Sequence, residues 1–238
     1  MKIALIGYGK MGRAIEKIAL GKGHEIGLKI DLDNGQELTR ANLIQHDVAI
    51  EFTGPSSAPA NLRKCLEAGI PAVCGSTGWL DEFDSIKNAF EKKGTAFLYA
   101  SNFSIGVNIF FELNKKLAAL MASHPEYRVS MREIHHTQKK DAPSGTAISL
   151  AEQVMEKIPS LKSWVNQAAR SPEELSIISE RVDPAPGTHE VLYTSSIDDL
   201  EIRHTAHNRE GFAGGAVLAA EYIYNRKGVF TMKDVLGF

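Results

Sequence analysis

The start of the chain constrains its fold more than any other part. Ile3-Ala4-Leu5-Ile6 is a short unbroken apolar run that ends at Gly7, and Gly9 and Gly12 complete the spacing GxGxxG. A strand that is apolar at every position needs cover on both faces, the situation inside a parallel sheet flanked by helices. The glycines dictate the path of the chain after that strand. Gly7 permits a tight turn, Gly9 lets the backbone approach a ligand, and Gly12 lets helix and strand pack closely. Residues 12–20 carry Ile15, Ile18 and Ala19 on one helical face and stop at Gly21 and Gly23, after which residues 25–31 alternate as a second strand.

The βαβ pattern then recurs. Residues 48–53 read as a strand, 58–68 as a helix closed by Gly69, 72–74 as a strand, 81–93 as a helix closed by Gly94, and 96–100 as a strand. Such alternation implies right-handed crossovers and an open parallel sheet. After Asn102 the texture changes. A helix over 107–121 is followed by residues 127–133, where Val129 and Met131 alternate with Arg128, Ser130 and Arg132 as in a sheet with one wet face. Further strands are expected at 176–181, 190–195 and 200–204, with loops at 166–172 and 182–188. A helix over 211–224 places Ala216, Ala219, Ala220 and Ile223 on one side, suited to tight packing against a sheet. The expected fold class is α/β: a Rossmann-like parallel-sheet domain plus an inserted α+β domain with a mostly antiparallel sheet.

Composition closes off other classes. A chain of 238 residues, 43% hydrophobic and 24% charged, has ordinary globular character and the material for a sizeable core. Its net charge of -2, with both signs scattered, offers no field for nucleic acid and no polybasic run for a membrane surface. No stretch approaches the ~20 apolar residues of a membrane span, and the opening apolar run is too short for a secretory signal. Cys65 and Cys74 lack CxxC spacing and read as buried free thiols of a reducing compartment, so a cytoplasmic location is expected.

Two segments carry chemistry. The first is the GxGxxG turn itself, Gly7-Tyr8-Gly9-Lys10-Met11-Gly12, with Asp31 at the end of the next strand within range of a ribose hydroxyl. Strand, glycine turn, helix and acid in that order point to a dinucleotide, with the pyrophosphate on the helix N-terminus. A P-loop is excluded, because Arg13-Ala14 stands where a lysine and a hydroxyl residue are required. Gly75-Ser76-Thr77-Gly78 comes after a strand at the sheet's carboxyl edge, where small residues leave room for a nicotinamide.

The second is Glu133-Ile134-His135-His136-Thr137-Gln138-Lys139-Lys140-Asp141-Ala142-Pro143-Ser144-Gly145-Thr146-Ala147, which sets imidazoles, ammonium groups and a helix start close together. Ser144 is a good N-cap, and the N–H groups of Gly145, Thr146 and Ala147 would then face outward to cradle a carboxylate. His135 and His136 sit side by side at a strand end, so their side chains diverge, one towards chemistry and the other towards binding. Histidine donates or accepts a proton near neutrality, and Lys139 can act as charge partner or proton donor. Arg209 has the planar fork that pairs bidentately with a carboxylate. No HExxH is present and adjacent strand positions cannot readily share one ion, so no metal site is expected. The whole equipment binds an anion and moves a proton. Other two-domain oxidoreductases, acting on a sugar or a semialdehyde, fit less well, since YxxxK is absent and neither cysteine is placed for catalysis. A silent NAD-binding sensor would not need the concentration of proton-transfer residues around His135.

These residues resemble a known family. The segment from His135 to Ala147 is similar to the HHxxKxDAPSGTA signature of the 4-hydroxy-tetrahydrodipicolinate reductase family, and the likeness extends to the opening glycines, Gly75 to Gly78, Ser101-Asn102-Phe103-Ser104-Ile105-Gly106-Val107-Asn108, and the closing Gly228-Val229-Phe230-Thr231-Met232-Lys233-Asp234-Val235-Leu236. Two departures stand out: a first turn one residue shorter than in some members, and Pro184-Ala185-Pro186-Gly187-Thr188-His189 in place of a longer glycine-rich connection. The resemblance implies a dinucleotide-binding domain over 1–103 and 210–238, and a substrate-binding and oligomerisation domain over 104–209. It implies that His135 and Lys139 are the proton donors or acceptors and that His136, Gly145 and Thr146 hold the substrate; the reading of the residues adds Ser144 and Arg209 as substrate contacts. Cofactor contacts fall on Gly7, Tyr8, Gly9, Lys10, Met11, Gly12, Asp31, Gly75, Ser76, Thr77, Ala100, Ser101, Asn102 and Phe103. The implied reaction is hydride transfer from NADH or NADPH to a small cyclic imine dicarboxylate, in a cytoplasmic homotetramer of lysine biosynthesis. Asp31, with no arginine beside it for a 2′-phosphate, predicts that NADH serves at least as well as NADPH.

Overall fold

The computed structural model describes residues 1–238, which form two compact units, Met1–Ile105 with Arg209–Phe238, and Gly106–Asn208. In chain order the first part holds β1 (Lys2–Ile6), α1 (Lys10–Gly21), β2 (Glu25–Ile30), α2 (Arg40–Leu43), β3 (Val48–Glu51), α3 (Ala58–Ala68), β4 (Ala72–Cys74), α4 (Phe83–Lys93) and β5 (Ala96–Tyr99). Next come α5 (Ile105–Met121), β6 (Arg128–His135), α6 (Gly145–Lys157), β7 (Ser163–Val165), β8 (Glu174–Arg181), β9 (Gly187–Thr194) and β10 (Asp199–Ala206). The chain ends with α7 (Glu210–Ile223), β11 (Gly228–Phe230) and α8 (Met232–Leu236), back in the first unit.

The first unit is built on a parallel sheet in the order β11-β5-β4-β3-β1-β2. The chain moves from β1 to β2 on one side, then crosses to β3 on the other, so the winding reverses between β1 and β3. Open α/β sheets hold ligands outside the carboxyl ends of their strands at such a reversal. Successive residues of each inner strand feed opposite cores. Ile3, Leu5, Val48, Ile50, Val73 and Leu98 pack with α1 and α7, whereas Ala4, Ile6, Ala49, Ala72, Cys74 and Phe97 pack with α3 and α4. This explains the unbroken apolar runs. On α7 the small residues are needed for close approach: a Cβ on Gly215 would lie 1.8 Å from the Phe103 carbonyl oxygen.

The second unit carries a mixed sheet in the order β10-β9-β6-β8-β7. The antiparallel β9/β10 and β6/β9 pairs have the longer registers, and β6/β8 and β7/β8 are parallel. One face packs Met131, Leu175, Ile177, Val191 and Tyr193 against α5 and α6. On the other face Arg132 pairs with Glu180 at 2.8 Å and with Glu190 at 3.3 Å. Several elements differ from the sequence expectation. Gly187 and Thr188, expected in a loop, open β9, because their backbones pair with Ala206 and Thr205 of β10. β7 is a short strand at the edge of the sheet, too brief to show periodicity. α4 begins at Phe83, after a 3₁₀ turn over Leu80–Glu82. Both cysteines are free and buried, and no helix is long and apolar enough to cross a membrane.

The glycines of the first turn do different jobs. Gly7 has φ +99°, and a Cβ there would lie 2.3 Å from the Phe52 carbonyl oxygen, whereas a Cβ on Gly9 would meet nothing within 4 Å. We expect Gly7→Ala to cost about 2 kcal/mol through strain and overpacking, and Gly9→Ala to stay within about 0.5 kcal/mol of the parent. Chemical denaturation of the two variants measures both; equal losses would refute the distinction.

Candidate active site

In the first unit the predicted cofactor residues line one sheet edge. Gly7 N–H donates to the Ile30 carbonyl at 2.9 Å, tying the turn after β1 to the end of β2. Gly9 is the N-cap residue of α1, so the helix begins at Lys10 facing the open space above Gly9. A Cβ on Gly12 would lie 2.2 Å from the Gly7 carbonyl oxygen, so this glycine seats the helix on the turn. Asp31 comes directly after β2, its Oδ1 accepting the Leu32 N–H at 2.9 Å and its own N–H donating to Asn34 Oδ1 at 2.7 Å. These geometries suit a dinucleotide: a helix start without side-chain cover, next to a fixed carboxylate.

Tyr8 anchors a cluster that the sequence did not reveal. Its hydroxyl bonds to the Glu16 carboxylate, Lys29 donates to Glu16 at 2.8 Å, and the cations of Lys29 and Arg13 sit 5.0 and 5.4 Å from the Tyr8 ring centroid. The Lys29 and Tyr8 hydrogen bonds hold the Glu16 carboxyl below its ordinary range.

The ends of β3, β4 and β5 complete the edge. Glu51 is fully buried and accepts from the Thr53 N–H at 3.0 Å, the Thr53 hydroxyl and the Cys74 thiol at 3.2 Å. The Phe52 ring lies tilted against Phe103 with centroids 5.6 Å apart, and Gly75 makes room for it, since a Cβ there would come within 2.2 Å of it. Ser76 is buried, with its carbonyl accepting from Trp79 Nε1 at 2.6 Å, whereas Thr77 is exposed. Ala100 N–H donates to the Cys74 carbonyl at 3.2 Å; Ser101 is exposed, and Asn102 Oδ1 caps the Ser104 N–H at 2.9 Å. Lys10 is exposed and Met11 half-buried.

The second unit holds the residues that the sequence reading expects to move protons. His135 ends β6 and is buried, while His136 lies just beyond and is half-exposed. Glu133, two residues back on the same strand face, pairs through Oε2 with His135 Nδ1. Its other oxygen accepts from Arg181 at 2.8 Å. Burial alone would raise the Glu133 carboxyl, but hydrogen bonds from His135, Ser179 and Arg181 outweigh it and hold the group far below its ordinary range. His189 stands opposite Glu133 in the β6/β9 register, and its ring meets that of His135 edge-on with centroids 5.1 Å apart. Lys139 pairs with Asp141 at 2.9 Å.

Ser144 caps α6, its Oγ accepting the Ala147 N–H at 3.3 Å and lying 3.1 Å from His189 Nε2. Ser144 therefore links the helix start to the buried His189 ring through one hydroxyl. The cap corrects one expectation: the Ala147 N–H does not face outward, because Ser144 takes it. Gly145 is exposed, with nothing within 4 Å of where a Cβ would sit. Arg209 is not part of this cluster; it is exposed at the N-cap of α7 in the first unit. Glu133, Arg181 and His189 escaped the sequence reading. The one local signal was the Glu-x-His spacing on a strand, which puts both side chains on one face. Glu133, His135 and His189 also bring potential ligand atoms within 4.8 Å of one another, but Glu133 is already committed to a guanidinium.

Comparison with known proteins gives a consistent picture. Residues 1–103 match the family model described as dihydrodipicolinate reductase, N-terminus, and residues 106–236 match dihydrodipicolinate reductase, C-terminus. The chain is 50% identical over 236 residues to 4-hydroxy-tetrahydrodipicolinate reductase of Christiangramia forsetii, covering 99% of this chain and 98% of the relative. It is 35% identical over 216 residues to the protein of the same name from Methanococcoides burtonii, covering 88% and 81%. Among solved structures, dipicolinate-bound dihydrodipicolinate reductase from Paenisporosarcina sp. TG-14 superposes with a TM-score of 0.77 at 25% identity, covering 97% of each chain.

Burial, followed by the nearby His135, depresses His189 to about 3. The unfolded chain therefore takes up this proton first as pH falls, so stability is complete above about 6.5 and drains away towards about 3. The thermal midpoint of His189→Asn should fall less than that of the parent between pH 7 and pH 5; parallel curves would show that His189 is not held neutral.

Proposed function

Since the chain belongs to the dihydrodipicolinate reductase family, we propose that its two units divide one reduction: the first holds a nicotinamide nucleotide, and the second holds and protonates the substrate. The activity is NAD(P)H-dependent reduction of 4-hydroxy-tetrahydrodipicolinate, or its dehydrated dihydrodipicolinate form, to tetrahydrodipicolinate on the diaminopimelate route to lysine. The observation that carries the division of labour is the buried Glu133–His135 pair beside the Ser144-capped start of α6.

The residues at the first sheet edge fit a dinucleotide, because Gly7 and Gly12 are filled by the protein and Gly9 is left open. The turn from Gly7 to Gly12 would hold the pyrophosphate, Asp31 a ribose hydroxyl, and Gly75 to Thr77 with Ala100 to Phe103 the nicotinamide end. The bound nucleotide supplies a hydride to an electron-poor ring carbon of the substrate.

The second unit supplies the proton. With Nδ1 of His135 occupied by Glu133, Nε2 is the working nitrogen. Gly187 keeps it uncovered, because a Cβ there would stand 3.0 Å from Nε2. Lys139 is the second donor, held by Asp141. One substrate carboxylate rests on the start of α6 at Gly145 and Thr146, and His136 meets the other. By resemblance to the family we also propose assembly as a homotetramer and place the enzyme in the cytoplasm.

His135→Gln and Lys139→Ala should each lower kcat about 10²-fold, the usual cost of a lost proton donor, with little change in NADH affinity. Loss of NADH absorbance on substrate generated in situ from pyruvate and aspartate semialdehyde by dihydrodipicolinate synthase measures this. Near-parent kcat in both variants would refute the assignment.

For the nucleotide, we propose that NADH serves at least as well as NADPH. Asp31 favours a free ribose hydroxyl, and Glu16 ties up Lys29, a cation otherwise available to a 2′-phosphate. KM for NADH should not exceed that for NADPH, and Glu16→Gln should lower KM for NADPH relative to NADH by releasing Lys29. A parent KM for NADPH well below that for NADH would overturn the preference.

A further inference from the structure

Arg181, the last residue of β8, pairs with His135 in the parallel β6/β8 register. Its guanidinium reaches four groups at once. Nη2 donates to Glu133 Oε1 at 2.8 Å and to the Asp141 carbonyl at 2.6 Å, Nε to the Lys139 carbonyl at 3.3 Å, and Nη1 to the Glu180 carbonyl at 2.7 Å. One rigid planar group therefore grips the carboxylate that orients His135 and the backbone that carries Lys139.

We propose that Arg181 is a positioning residue that sets the two proton donors in register with each other. This rests on the reading of His135 and Lys139 as proton donors and extends it to a residue that need not touch the substrate. Lys139–Asp141 has no regular secondary structure, and Arg181 is the side chain that fastens its carbonyls to the strand bearing His135. Only the fork geometry meets these demands together; an ammonium carries the same charge but is a point donor. Displacement of a reacting group by about 1 Å costs on the order of 10²-fold in rate, so a loosened turn reads out in kcat. The nucleotide residues lie in the other unit, and NADH affinity should not change.

The test is a double-mutant cycle with Arg181→Lys, which keeps a cation beside the buried Glu133, and Lys139→Ala. Arg181→Lys should lower kcat about tenfold or more with the Kd for NADH within about twofold of the parent. Lys139→Ala should cost distinctly less in the Arg181→Lys background, where its ammonium is already misplaced, than in the parent. A residue that merely stabilises the fold would give multiplicative losses. Should Arg181→Lys fail to fold, Arg181→Gln, whose amide can still donate to Glu133, replaces it in the cycle. Parent-like kcat in the Arg181 variant, or multiplicative losses, overturns the inference while leaving the proton donors standing. Parent-like kcat in both His135→Gln and Lys139→Ala would instead refute the donors themselves, and this inference with them.

Discussion

A carboxylate with no solvent exposure governs the architecture of the second unit. Removing such a group from water costs several kcal/mol, and only close, well-aligned partners recover it. Glu133 has them: the His135 imidazole on one oxygen, the Arg181 guanidinium on the other. Each partner imposes its own requirement. Arg181 must end β8 beside His135, which the parallel β6/β8 pairing achieves. His189 must stand across from Glu133, which the antiparallel β6/β9 pairing achieves. A central strand with one parallel and one antiparallel neighbour is how the fold surrounds a single buried charge from both sides.

The first unit solves a different problem, that of bringing backbones together. Gly7 lies against the Phe52 carbonyl, Gly12 against Gly7, Gly75 against the Phe52 ring and Gly215 against the Phe103 carbonyl. These are steric conditions on the carboxyl ends of β1, β3, β4 and β5, and together they give the edge its shape. Glu51 contributes from below, gathering Thr53 and Cys74 onto one buried carboxylate. The thiol beside it is pushed far above its ordinary range by burial and by the Glu51 charge, which keeps it a hydrogen-bond donor and out of the chemistry.

Much of this was readable from the residues. The first unit announces itself because its strands are covered on both faces and so stay apolar throughout, and because Gly69 and Gly94 adopt the left-handed caps that end α3 and α4. Ser144 was legible as a cap because capping is local. What stayed hidden is whatever register decides. Arg181 lies far along the chain from Glu133, and no periodicity links them until β6 and β8 are aligned. The grouping of Arg13 and Lys29 over the Tyr8 ring likewise exists only once α1 and β2 are packed together. The Ala147 N–H was misjudged for a simpler reason: a cap that makes a helix start also occupies part of it.

The opening motif separates two kinds of demand that its three glycines, written as one pattern, conceal. Gly7 and Gly12 are required by neighbours within the chain, and Gly9 answers to nothing the chain itself contains. Under relaxed selection the three positions would not drift together. A descendant that lost its nucleotide while keeping its fold would retain the outer glycines and be at liberty to change the middle one. A side chain at the position of Gly9 is therefore the mark to seek when sorting working relatives from those that preserve only the scaffold.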